Sequence, residues 1–535
     1  MIARDELFRR GDHERIWQKY CGFLDLSLKE FMEMQNEMLM QQIDLVYDSP
    51  LGKIFMPRKP TDLSEFRQIV PLTTYDDYAP YLNEKNEDVL AVKPLYWVCT
   101  SGRGGTFKWV PWNKATVEML ARCGVATGIL ACANRKGEVN IGSGMNTLAN
   151  LPPPPYASGI LAQITAEHMG MHLIPPPSKD KTEDFAARSQ LGFKLALKNG
   201  IDLLTSLTSV LVKMGERFVE TSGQMKFSWR MLHPQIMRRL IIAWIRCKLT
   251  RRTLLPKDLW PLRGLIAYGM DTDIYREKLV YYWGKEPLEF YSATEAGAIA
   301  TQAWNKNGMT FVPFSSFREF IPEEEWLKSQ RNKDYKPTTV LMDELQPGKR
   351  YEVVITNFYG MPFLRYRLGD LIRVVAVEDK EVGIKTPQIA FESRADSLID
   401  IAGFTRLDER TIWRAIANTG IKYDDWTIRK EYENNNAIVR LYIETKEDID
   451  AKELERLIHK ELVAIDQDYR ALESVLGIQP LRVITLASGS FQQYYEDRQK
   501  AGADLAHLKP AHMNPLDSVV QRLLEFSNNI GRDEA

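Results

Sequence analysis

Apolar residues recur at helical spacing through the first 90 residues, most clearly over Leu26–Tyr47 (LSLKEFMEMQNEMLMQQIDLVY). From about Tyr96 to Val375 the pattern changes, and short apolar runs alternate with helical stretches. Gly264–Gly269 (GLIAYG), Leu288–Glu295 (LEFYSATE) and Tyr351–Phe358 (YEVVITNF) predict strands. Such alternation implies an α/β architecture with sheets covered by helices. The proline clusters at Pro152–Pro155 and Pro175–Pro177 read as loops, because patterned sequence continues on both sides. After Arg394 the pattern changes again. WTIRKEY, a polar ENNN and AIVRLYI predict a hairpin, and Asp450 begins a helix with Glu453 placed as its capping-box partner. Leu454, Leu457, Ile458 and Leu462 share one face of that helix, and LRVITL supplies a third strand. The expectation is a large N-terminal α/β domain over 1–393 and a small α+β C-terminal domain over 394–535, mobile against the first.

Composition narrows the function classes. In 535 residues, 70 Lys and Arg against 71 Asp and Glu give a net charge of -1, so no global basic field exists for nucleic acid or an anionic membrane. Neither is expected as a partner. One local stretch, RRLIIAWIRCKLTRRTL, reads as a basic amphipathic helix with a solvated face. The five cysteines form no C-x-x-C pair and no zinc-spaced cluster, which suits a reducing compartment. The charged N-terminus has no apolar signal region and no run approaches 18 apolar residues, so a cytoplasmic location is expected.

Four stretches carry candidate chemistry. In TSGRGGTFK, Thr100, Ser101, Gly102, Gly104 and Gly105 offer converging backbone N–H groups and Lys108 a neutralising ammonium; the loop either cradles phosphate or is a plain turn. In FYSATEAG, an apolar strand ends at Thr294 and Glu295, whose carboxylate could hold Mg²⁺ or simply favour a helix N-terminus. In FLRYRLGDLIRV, Asp370 follows Gly369 in an apparent tight turn, positioned for ribose hydroxyls or for nothing beyond a hairpin. In FESRADSLIDIAGF, Arg394 and Asp396 lie where composition changes.

Their order is more specific than any one of them. T-S-G-x-x-G-x-x-K, then Y-x-x-T-E, Y-R-x-G-D and R-x-D ahead of a small domain resembles the adenylate-forming superfamily. PLTTYDDYAPYL (Pro71–Leu82), VPFSSFREFIPEEE (Val312–Glu325), YEVVITNFYGMPFLRYRLGD and GSFQQYYEDRQKAGADLAHLKP (Gly489–Pro510) resemble the plant acyl-acid amido synthetases that conjugate auxin and jasmonate, with this chain read as a non-plant member.

The resemblance implies ATP and Mg²⁺ as cofactors, and a carboxylic acid with an amino acid, or CoA, as partners. It implies that Thr100–Lys108, including Arg103, wrap the β- and γ-phosphates, and that Gly269 and Tyr291 flank adenine. Thr294 would approach the phosphate or acyl group, Glu295 bind Mg²⁺, Asp370 the ribose, and Arg394 the ribose or phosphates. Asp396 sits where related enzymes pivot, and Lys509 would reach the α-phosphate. Catalysis would rest on Lys509, Lys108 and Glu295. Gly142–Gly159 is the candidate acyl-pocket segment. Several positions depart from the family: Arg103 and Gly104 replace hydroxylic residues, Phe107 a proline, and Asp400 a lysine frequent in CoA ligases. Pro510 follows Lys509 directly, with His512 near the usual arginine. Three functions are therefore carried: an acid–amino acid ligase acting through an acyl-adenylate, an acyl-CoA ligase, and a non-catalytic acyl- or nucleotide-binding relative.

Overall fold

The largely buried Lys114–Cys132 helix, an antiparallel hairpin and two sheets create the setting for the chemistry. The computed structural model describes residues 5–101, 107–149, 151, 154–177, 185–222, 233–268, 272–332, 334–394, 399–401, 405–433, 436–466, 469–470, 479–500 and 509–533. Strands follow in chain order as β1 (Tyr96–Ser101), β2 (Phe107–Trp112), β3 (Asn146–Ala149), β4 (His172–Ile174), β5 (Leu203–Leu207), β6 (Gly264–Tyr268), β7 (Phe290–Ala293), β8 (Gly297–Thr301) and β9 (Met309–Phe311). They continue as β10 (Ser316–Pro322), β11 (Arg350–Asn357), β12 (Tyr366–Ala376), β13 (Gln388–Arg394), β14 (Ile399–Ile401), β15 (Thr405–Leu407), β16 (Tyr423–Glu433), β17 (Asn436–Thr445) and β18 (Leu481–Leu486).

Two compact units result, one of residues 1–368 and 372–391, the other of 369–371 and 392–535. In the first, β4-β3-β5-β6 form a parallel sheet and β10-β11-β12-β13-β9-β8-β7 a seven-stranded one. Apolar side chains from the N-terminal helices, the Lys114–Cys132 helix and the larger sheet share one core, including Trp17, Phe31, Tyr78 and Phe320. A separate core around Trp260 and Trp283 packs the helices onto the parallel sheet. The Lys114–Cys132 helix is long and apolar enough to cross a membrane, yet 78% of its apolar window is buried inside the fold. Asn113 caps it by accepting from the Thr116 amide at 3.0 Å, and the Asn113 amide reaches the Tyr359 carbonyl at 2.7 Å.

The structure differs from the sequence reading at two local points. Gly369 and Asp370 lie inside β12 rather than in a tight turn; Gly369 has φ +72°, a conformation that in sequence looks like a hairpin glycine. Asp450 does cap the Ala451–Ile465 helix through the Lys452 and Glu453 amides. The reciprocal capping-box bond is not formed, because the Glu453 carboxylate pairs with Arg456 instead, at 2.6 Å.

In the second unit β16 pairs antiparallel with β17, and β17 parallel with β18. Its charged centre is built on β16. The buried Asp425 accepts from His512 Nε2 at 2.8 Å and from the Tyr495 hydroxyl, while Lys509 Nζ lies 3.1 Å away. His512 Nδ1 meets Glu409 Oε1 at 2.5 Å, and its ring stacks on Trp426 with centroids 4.3 Å apart. Burial alone would lower the His512 pKa, but the Asp425 and Glu409 carboxylates outweigh it and raise the pKa to about 9. Burial likewise opposes the charged form of Asp425, and the His512 bond and charge, with Lys509, hold it well below the usual carboxylate range.

A histidine whose folded pKa exceeds its unfolded 6.5 contributes stability that is complete below 6.5 and is lost as pH rises through about 9. Amide hydrogen exchange in β16–β18, corrected for intrinsic rate, should therefore lose protection between neutral pH and about pH 9. In His512→Gln that loss should disappear, leaving a flatter profile from a lower starting stability.

Candidate active site

The T-E turn is fixed by three bonds from separate segments. At its start, Trp112 Nε1 at the end of β2 donates to the Thr294 carbonyl at 3.1 Å. One residue on, Asn357 Nδ2 at the end of β11 donates to the Glu295 carbonyl at 2.7 Å. The Tyr366 hydroxyl at the start of β12 then donates to Glu295 Oε1 at 3.2 Å. Gly297 closes the turn at φ +73°, where a Cβ would come within 2.9 Å of the Leu120 side chain. Thus the glycine of TEAG is required twice, by backbone conformation and by contact with the central helix. The Glu295 side chain is 8% exposed.

The two ends of the TSGRGGTFK stretch pair as a hairpin. β1 and β2 pair antiparallel, with Thr100 opposite Lys108 and Ser101 opposite Phe107, so residues 102–106 connect the strand ends. Lys108 Nζ lies 5.3 Å from the centre of the Tyr75 ring. The Tyr75 hydroxyl accepts from the Trp109 amide at 2.6 Å and reaches Asn83 Oδ1 at 3.0 Å. Burial raises the Tyr75 pKa to about 12, opposed by the Trp109 amide and assisted by the negative charge of Glu295. Burial also raises that of Tyr366, reinforced by the charge of Glu295 and by the hydrogen bond to it. Both phenols stay neutral; Tyr366 donates to the Glu295 carboxylate, whereas Tyr75 spends its hydroxyl on Asn83 and the Trp109 backbone.

Among the predicted site residues, Thr294 and Glu295 share one turn of the first unit, and Lys108 lies on β2, whose last residue Trp112 holds the Thr294 carbonyl. Tyr291 lies on β7, 6% exposed, with its ring 5.4 Å from that of Phe391. Asp370 and Lys509 belong to the second unit, where Lys509 is half exposed and ion-paired with Asp425. Gly102, Arg103, Gly104, Gly105, Gly269 and Asp396 lie outside the described residues. Thr100 and Ser101 are described as the end of β1, and Arg394 as the end of β13. The Gly142–Gly159 segment contains β3 and runs to the hairpin, since the Cys99 amide donates to the Pro155 carbonyl at 3.0 Å.

Sequence reasoning missed Tyr75, Trp112 and Asn357, whose roles depend on partners far away in the chain. It also missed two guanidiniums set against aromatic rings, one half-buried and one buried. Arg122 stacks on Phe314 at 3.8 Å, and Arg318, 3% exposed, donates through Nη2 to Ser315 Oγ at 2.7 Å and to the Val312 carbonyl. Nε of both, and Nη1 of Arg318, have no hydrogen-bond partner. Burial pushes the Arg318 pKa down to about 9. Ser315 lines a small cavity together with Thr116, Met119, Thr294 and Glu295, so Arg318 stands directly behind its wall. A far larger cleft, about 1160 Å³, opens between residues 62–74 and 335–341. It shares no lining residue with the T-E turn, and the arginines that line it are paired, Arg365 and Arg67 with Glu319 at 2.9 and 3.2 Å and Arg367 with Glu352 at 2.6 Å.

Comparison with known proteins places this geometry in a family. The GH3 family N-terminal domain matches residues 21–245 and the GH3 family central domain residues 309–394, together more than half of the chain. The 4-substituted benzoates-glutamate ligase GH3.12 of Arabidopsis thaliana is 21% identical, over 90% of this chain and 95% of its own length. The jasmonoyl–L-amino acid synthetase GH3.5 of Oryza sativa subsp. japonica is 26% identical over 50% of this chain, and the match spans about half (48%) of that relative. Among solved structures, the AtGH3.15 acyl acid amido synthetase superposes with a TM-score of 0.70 at 16% identity, covering 98% of this chain and 97% of its own. A 2-hydroxyisobutyryl-CoA ligase superposes with a TM-score of 0.62 at 13% identity, covering 94% of each chain. The expected α/β adenylate-forming fold is therefore borne out, and the chain belongs to the GH3 family.

Proposed function

We propose that this chain is an ATP-dependent ligase that activates a carboxylic acid as its acyl-adenylate and passes the acyl group to the amine of an amino acid. The observation that carries this reading is the buried Glu295 carboxylate, fixed by Tyr366 in a turn whose carbonyls Trp112 and Asn357 hold, with Lys108 on the same strand β2 that ends at Trp112. The named activities of the GH3 relatives support the same reaction class.

In the first half-reaction a carboxylate oxygen bonds to the α-phosphorus of ATP and pyrophosphate leaves. Two anions must meet, so the barrier falls chiefly through positive charge and oriented N–H groups placed where charge accumulates. Lys108 serves the departing phosphates, and Lys509 is assigned to the α-phosphate. Mg²⁺ commonly takes one or two protein carboxylates together with substrate phosphates, and Glu295, with Oε1 fixed by Tyr366, fits that limited role. Among the described residues no cluster of three or more His, Cys, Asp or Glu offers a complete protein cage. When bound, the ion would neutralise phosphate charge. In the second half-reaction the amine nitrogen attacks the acyl carbon, the bond to AMP breaks, and the amine loses a proton. Exclusion of water at this stage preserves the mixed anhydride. All five cysteines are buried thiols outside any disulfide, which supports a cytoplasmic location.

Carboxylate-dependent ATP–pyrophosphate exchange tests the first half-reaction, and Lys108→Ala or Glu295→Ala should lower it by about 100-fold or more. No exchange across a broad panel of acids would instead identify a non-catalytic relative. Tyr366→Phe removes one hydrogen bond to a charged group, about 1.5–3 kcal/mol, and should lower exchange by about 10- to 100-fold while raising the Mg²⁺ concentration required. With the acid identified, separate incubations with amino acids and with CoA should give amide and no thioester; thioester alone would make the chain an acyl-CoA ligase. Arg103→Thr should weaken ATP and pyrophosphate binding if Arg103 replaces a hydroxyl contact with a charged one.

A further inference from the structure

The Pro234–Thr250 helix turns only a narrow stripe toward the core. Ile236, Ala243 and Cys247 are buried at helical spacing, with Leu240 half-buried among them. The opposite face is apolar as well. Ile241 is 49% exposed, Ile245 46% and Leu249 80%, a ridge at i, i+4 and i+8, with Ile242 at 41% beside it and Trp244 at 57% on its flank. Five of the 18 exposed large apolar side chains among the described residues thus fall within nine residues of one helix. Scattered exposed apolar residues need no explanation, whereas a continuous ridge marks a contact surface.

The charge around the ridge selects the occupant. No Asp or Glu occurs between Glu220 and Asp258. Arg238 lies along the ridge, Lys248 and Arg246 stand on its two sides, and Arg251 and Arg252 follow its end. Lys248 Nζ lies 4.3 Å from the Trp244 ring, and Arg252 is paired with Asp258 at 2.5 Å. A second copy of the chain docking by two-fold symmetry would set this cationic helix against itself. An apolar ridge bordered by Lys and Arg, with a tryptophan at its edge, has the arrangement of a helix lying in the plane of a lipid interface. The aliphatic residues enter the acyl boundary, Trp244 sits at headgroup depth, and the cations meet anionic headgroups.

We propose that the Pro234–Thr250 helix is a peripheral docking surface for anionic phospholipid membranes. The near-zero net charge of the chain gives no hint of this, because the attraction is local and decays within a Debye length. The helix is held on the domain by its buried stripe, so it binds reversibly with one exposed ridge and does not span.

Co-sedimentation of the full chain with phosphatidylcholine vesicles, with and without phosphatidylserine, tests the proposal. Binding should require phosphatidylserine and weaken as salt rises. Ile245→Glu combined with Leu249→Glu should lower partitioning by about tenfold or more, while leaving the circular dichroism and thermal midpoint unchanged. Arg246→Gln combined with Lys248→Gln should reduce the preference for phosphatidylserine by about fivefold or more. Should the double glutamate variant fail to fold, Leu249→Ser at the most exposed position takes its place, with a smaller loss expected. Absence of vesicle binding, or binding that the ridge variants leave intact, would overturn the proposal. So would a dimer in sedimentation velocity, or capture of an acidic protein without lipid binding, if abolished by the same variants.

Discussion

Glu295 is held at three levels at once: its carboxylate by Tyr366, its carbonyl by Asn357, and the preceding carbonyl by Trp112. These partners come from β12, β11 and β2, so the turn carrying the proposed metal ligand forms only when hairpin, central helix and seven-stranded sheet are assembled. A buried carboxylate is costly without donors, and here the neutral Tyr366 phenol supplies one without adding a competing charge. Such a site is pre-organised by packing, which is what transition-state stabilisation by fixed groups demands.

The pattern of the chain carried most of the architecture. Apolar runs located β6, β7 and β11, and the spacing of Leu454, Ile458 and Leu462 located a helix whose inward face is those residues. What failed was local signal that tertiary pairing overrode. Gly369 reads as a turn because left-handed glycines usually mark one, yet Thr73 bonds backbone to both Arg365 and Arg367, and the chain stays extended through it. Glu453 had two available partners, and the nearby Arg456 guanidinium won over the cap amide. The basic helix was read as solvated because a wheel shows only which residues share a face. Whether the domain has room for a second apolar face is decided by packing, and here it does not.

The chemical residues divide in the same way. Lys108, Thr294 and Glu295 were legible because their motifs are contiguous in sequence. Tyr75 stands out in sequence only as part of a family-like segment, and its contact with Lys108 is a product of the fold. Arg318 was invisible for a further reason: a lone arginine in an apolar strand looks like an edge or bulge residue. Instead it is enclosed, with two of its three nitrogens unanswered beside the wall of the cavity next to Glu295. An unpaired buried cation is tolerated only where the surrounding fold is strongly determined, and this position lies in the main core.

Tyr75 feels charges of both signs. Its ring lies against an ammonium, and its hydroxyl shares a field with a carboxylate. Any anion drawn to Lys108, or any cation drawn to Glu295, changes the electrical surroundings of one aromatic ring. A fluorine placed on that ring would make the tyrosine a spectroscopic gauge of site occupancy, distinguishing the ATP-loaded protein from the protein after pyrophosphate departs, with no label on either substrate.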